Sequence, residues 1–87
     1  MPLFTLQDQQ EFAQAVRLHE QGRMADAEAL YRRLLARNPM NVPALHMLGV
    51  LAHQVGNSDA AAELLERVIT IGPPDATALA NLAEVQR

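Results

Sequence analysis

The stretch Gly22-Arg23-Met24-Ala25-Asp26-Ala27-Glu28-Ala29-Leu30-Tyr31-Arg32-Arg33-Leu34-Leu35-Ala36-Arg37-Asn38-Pro39 decides the fold, because its pattern returns 34 positions later, between Gly56 and Pro73. Under that shift Gly22 falls on Gly56, Ala27 on Ala61, Leu30 on Leu64, Arg33 on Arg67 and Pro39 on Pro73. The register extends upstream, where Val16 falls on Val50 and His19 on His53, and downstream, where Ala44, Leu45 and Leu48 fall on Ala78, Leu79 and Leu82. A fixed period of this length marks stacked supersecondary units. The chain divides into repeats at about 8–41 and 42–75 and a partial third at about 76–87, all within one domain, 1–87.

Each repeat reads as two helices, since apolar positions recur at spacings of three and four and the breakers fall at regular intervals. Thr5 followed by Asp8 has the form of a capping box, opening a first helix that runs to about Gln21 and ends at Gly22. A second helix, about Met24 to Arg37, stops at Asn38-Pro39. Asn41 caps a third, with Pro43 tolerated in its first turn and Gly56 closing it. Ser58 or Asn57 caps a fourth that ends at Gly72-Pro73-Pro74, and Asp75 caps a fifth. The expected fold is all-α, with about five helices: two complete pairs and one unpaired helix.

Composition agrees with this reading. A chain of 87 residues has room for one small core. Apolar residues make up 49% of it and aromatics only 3%, the excess being Ala and Leu, which favour stacked helices over a sheet. The net charge is -3, and the seven basic residues, all Arg, cluster only at Arg32, Arg33 and Arg37, where a solvated helix face explains them. Nucleic acid requires a denser basic stripe. With no cysteine there is no disulfide framework, and the first ten residues lack both a basic and an apolar signal region. The longest nearly apolar run, 42–52, is broken by His46 and falls short of the about 20 residues that span a bilayer. No membrane association is expected, and the default location is cytoplasmic.

The matched positions resemble tetratricopeptide repeats. Leu45, Leu48, Gly49, Ala52, Ala61, Leu65 and Pro73 fit the signature in the second repeat, and Ala15, Leu18, Ala27, Tyr31 and Pro39 fit it in the first, where Glu11 and Gln14 depart from it and suggest a solvated end. Small residues at 15, 27, 49 and 61 let helix axes approach closely, and Tyr31 and Leu65 fill the space between neighbours. The resemblance implies a right-handed superhelical stack whose first helices line a concave groove for a peptide or helix of a partner protein. It places Gln9, Phe12, Ala13, Val16 and His19, then His46, Met47, Val50 and His53, then Thr77, Ala80, Asn81 and Glu84 along that groove. Most are apolar or neutral, so the implied ligand is an apolar or neutral segment. Family members that grip an acidic chaperone tail carry Lys, Arg and Asn where this chain has Phe12, Val16, Met47, Thr77 and Asn81, so that clamp is absent.

The run around Asn81 also resembles the repeat region of O-linked N-acetylglucosamine transferases, and that around His46 resembles bacterial proteins in which such repeats precede a glycosyltransferase or sulfotransferase domain. The chain then reads alternatively as an N-terminal recognition or spacer segment of a larger transferase. The plainer reading of Asn81 is a residue that caps its own helix or faces solvent.

The three histidines raise a metal site, but His46 and His53 stand two turns, about 10 Å, apart on one helix, too far to share an ion. As groove residues they are candidates for a mildly pH-sensitive contact. No cofactor and no metal are implied. Nothing brings a nucleophile, a base and an oxyanion donor together, so the chain is not expected to be an enzyme. Residues 76–87 form a first helix without its partner. Three readings of its apolar side remain open: a cut from a longer repeat array, self-association of two chains through this helix as a homodimer, and an ordinary cap.

Overall fold

The computed structural model describes residues 5–71 and 76–85. Five α-helices follow one another: α1 (Leu6–Glu20), α2 (Met24–Arg37), α3 (Val42–Gln54), α4 (Ser58–Ile71) and α5 (Ala76–Val85). The helix starts are those the side chains dictate. Thr5 and Asp8 form a reciprocal capping box, Asn41 Oδ1 accepts from the Ala44 N–H, and Asn57 Oδ1, rather than Ser58, accepts from the Ala60 N–H. The expected cap of α5, Asp75, and the closing Pro73 lie outside the described residues.

Both first helices end in the same way. The Gly22 N–H donates to the His19 carbonyl and the Arg23 N–H to Leu18; one repeat later Gly56 donates to His53 and Asn57 to Ala52. This is the Schellman closure, which puts the residue after the helix at positive φ, a conformation that favours glycine. Gly22 has φ 80° and Gly56 φ 89°.

Helices pack as consecutive antiparallel neighbours, α1 on α2, α3 on α4, with α2 meeting α3 and α4 meeting α5. The core is the seam these pairs share: Ala15, Ala27, Tyr31, Leu48 and Leu51 form one cluster, and Leu45 with Val68 another. Gly49 permits a close approach of α3 and α4. A methyl group there would stand 3.0 Å from Leu65 Cγ, so the absence of a side chain is what lets α4 lie against α3.

Two sequence expectations are corrected at the first repeat. Glu11 is not a solvated end but 9% exposed, and Asp8 is as deeply placed, because Arg37 crosses from α2. Arg37 Nη2 lies 2.7 Å from both Asp8 Oδ1 and Glu11 Oε2, and Arg33 stands 3.6 Å from Glu11 Oε1. The arginine group of α2 is therefore only partly a solvated face: Arg32 pairs with Glu28 along its own helix, while Arg37 fastens α2 to α1. The Thr5 N–H and then the Arg37 guanidinium hold the Asp8 carboxyl below its ordinary value. A depressed carboxylate contributes stability above the unfolded-state pKa and loses it as pH falls through the folded-state value. Asp8→Asn should therefore melt below the parent chain at pH 7, and the gap should narrow at acid pH as the Asp8 carboxyl takes up its proton. Thermal melts at pH 7 and at acid pH check this.

Candidate functional site

The first helices touch one another, α1 to α3 and α3 to α5, whereas the backbones of α2 and α4 stay more than 8 Å apart. Helices that converge on one side and diverge on the other give a stack whose inner, concave side is formed by α1, α3 and α5. The side chains on this surface come from helix positions spaced by three and four, which keeps them on one face.

Two hollows open along the α1/α3 seam. The first, of about 210 Å³, lies at the N-terminal ends of the two helices, lined by Asp8, Gln9, Phe12, Asn41 and Pro43. The second, of about 360 Å³, lies toward their C-terminal ends and is lined by Val16, His19, Glu20, Met24, Met47, Val50 and Gln54. Phe12, Val16, Met47 and Val50 are half-buried, offering part of their surface and anchoring with the rest. Phe12 packs on Tyr31 with ring centroids 6.1 Å apart, so it belongs to the core as much as to the groove.

The histidines have separate duties. His19 is 8% exposed and forms the back of the second hollow: its Nε2 donates to Gln54 Oε1, and in the neutral ring Nδ1 accepts from the Tyr31 hydroxyl at 3.3 Å. Burial, reinforced by the charge of Glu20, pushes the Tyr31 phenol up to about 12, so it remains a donor. His46 Nε2 accepts from Asn81 Nδ2 at 2.7 Å, tying α5 to α3. Asn81 thus neither caps its own helix nor stands free. His53 is half-buried, and its Nδ1 is closed off from solvent without a partner. Among the described residues no three His, Cys, Asp or Glu side chains come together as a metal-binding group.

Of the eight residues singled out from the sequence, Val16, His19, Met47 and Val50 meet in one hollow, Phe12 lines the other, and His46 joins Asn81. The side chain of Thr77, also expected in the groove, lies outside the described residues. Asp8, Gln9, Glu20, Met24, Asn41, Pro43 and Gln54 complete the hollows; the sequence reading placed only Gln9 of these in the groove. A signal for Gln54 existed: it stands 35 residues after His19, as Asn81 does after His46, one more than the repeat length. That offset joins consecutive first helices by an imidazole–amide bond.

Paired helices repeated in register, with convergent first helices and a hollowed inner face, define a helical-repeat interaction module. The Tetratricopeptide repeat family model matches residues 12–76, and the chain belongs to that family. Its repeats are protein-protein interaction modules and typically non-catalytic. The chain is also similar to the cellulose synthase 2 operon protein C of Komagataeibacter xylinus, 42% identical over 60 residues, which are 69% of this chain and 5% of that protein. It therefore spans only a small part of that relative. No helix among the described residues is long and apolar enough to cross a membrane.

Proposed function

We propose that the chain binds a peptide or helix of a partner protein along its concave face, centred on Phe12, Val16, His19, His46, Met47, Val50, His53 and Asn81. The observation that carries this reading is the pair of hollows on the α1/α3 seam, where partly exposed apolar side chains lie beside Asp8, Asn41, His19 and Gln54, all bonded within the chain. Such a surface gains affinity from apolar burial and little from charge. Val50→Arg fills the second hollow with a cationic side chain and should abolish partner capture with helicity retained, measured by pull-down beside circular dichroism. Retention of the same partners would sink the assignment. Phe12→Glu is the weaker tool, because it also disturbs the packing on Tyr31.

A second reading is favoured by one observation. Leu79 is 45% exposed, whereas its repeat mate Leu45 is fully buried beneath α4. The α5 helix then offers a surface for another helix, either from a second copy or from an adjoining repeat in a larger scaffold such as a transferase. The short share of the Komagataeibacter relative that is matched supports the larger-scaffold form. Sedimentation at several concentrations separates self-association from it, since a strict monomer removes the dimer. The proposed setting is the bacterial cytoplasm.

A further inference from the structure

The two hollows on the α1/α3 seam differ in chemistry, and the difference specifies a ligand. In the first, Phe12 and Pro43 supply the open wall, two of the polar members are occupied, Asp8 by Thr5 and Arg37 and Asn41 by the Ala44 N–H, and the third, Gln9, stands exposed at the mouth. An apolar cavity of about 150 Å³ already accepts benzene, so about 210 Å³ holds one phenyl or branched aliphatic side chain. In the second, Val16, Met47 and Val50 form an apolar floor, and His19 and Gln54 satisfy each other at the back. Its rim carries Glu20, exposed and in no ion pair among the described residues. An apolar floor beside a lone carboxylate suits a Lys or Arg side chain, whose alkyl stem lies on the floor while its cationic head reaches the rim.

The separation of the hollows fixes the ligand's form. The residues of α1 that line them, Asp8, Gln9 and Phe12 against Val16, His19 and Glu20, are centred eight to nine positions apart, about 13 Å at the helical rise. An extended chain covers that in about four residues, and an even spacing keeps both side chains on one face. A ligand helix brings residues seven apart squarely onto one face at about 10 Å, and reaches about 12 Å only with residues eight apart, at the edge of the face, so it meets the two hollows less directly than an extended chain.

We infer that the α1/α3 seam selects an extended peptide carrying a large apolar side chain in the first hollow and a Lys or Arg four residues away over the second. This rests on the groove reading above and adds to it the ligand's chemistry and spacing.

The test is to pan a phage-displayed library of random 12-residue peptides against the intact chain, then to measure synthetic versions of the enriched peptides by calorimetry. Enrichment of Phe, Leu or Tyr with a basic residue four positions away is expected. Replacing the apolar anchor by Ala should weaken binding about tenfold or more. Replacing the basic anchor by Gln should weaken it about threefold, and that loss should vanish on the Glu20→Gln chain. Gln9→Trp, which plugs the mouth of the first hollow from an exposed position, should remove the apolar preference. Enriched peptides with a seven-residue spacing, with no basic preference, or with a basic preference that persists on Glu20→Gln overturn the inference, while their loss on Val50→Arg would leave the groove reading standing. Binding insensitive to both Val50→Arg and Gln9→Trp overturns both, and a panning with no enrichment overturns the inference.

Discussion

Tyr31→Ala is expected to lower the unfolding free energy by about 3–5 kcal/mol, the range for deleting a fully buried aromatic side chain. A domain of this length has about 4–13 kcal/mol of stability in total, so the variant should be largely unfolded by mild denaturant. The ring is wholly buried at the meeting point of α1, α2 and α3. It packs on Phe12 and edge-on to His19, and its hydroxyl faces His19 Nδ1. Truncation leaves a cavity and also strips a buried ring nitrogen of its partner. Tyr31→Phe separates the two effects, since it retains the packing and should lose only about 1–3 kcal/mol. Urea unfolding followed by circular dichroism measures both; a Tyr31→Ala chain as stable as the parent would refute this account of the core.

The second large effect is at the α3/α4 crossing. Leu65 is fully buried and fills the space that Gly49 leaves open, so Leu65→Ala should cost about 2–5 kcal/mol. Gly49→Ala alone gains helix propensity, worth about 1 kcal/mol, but its new methyl meets Leu65 Cγ at 3.0 Å. Because Leu65 is enclosed on all sides, it cannot swing aside, and the single variant should be destabilised. Combined, the two changes compensate, since the added methyl enters the volume that leucine has vacated. A double-mutant cycle should return a favourable coupling of about 0.5–3 kcal/mol, and strictly additive values would show that the contact is not what sets the helix separation.

The fold was legible because its information is local and repeated. Glycines at 22 and 56, Asn41, and the Thr5–Asp8 box act within a few residues of themselves, and the 34-residue register supplied every helix pair at once. What escaped the sequence reading is the chemistry between helices. Glu11 departs from the repeat pattern and reads as a solvated acid; only the approach of Arg37, 26 residues on, turns it into a buried ion-pair partner. Glu20 and Gln54 follow the same logic. Each looks like an ordinary polar residue in the last turn of a helix, and each gains its role from the neighbouring first helix. The site was half visible: the apolar groove positions follow from helical spacing, but the division into two hollows of different chemistry depends on the distance between α1 and α3, which no spacing within one helix encodes.

The two joints that follow α1 and α3 close with matching hydrogen bonds around a glycine of the same handedness. At the level of the gene, these turns are equivalent crossover points. Unequal exchange between Gly22 and Gly56 adds or deletes a block of 34 codons, and every product keeps a properly closed turn on each side of the junction. Since each block contacts only its neighbours, such exchanges alter the length of the stack and leave its cross-section intact. The number of repeats is thus free to drift over descent, while selection acts on the side chains each copy presents to its groove.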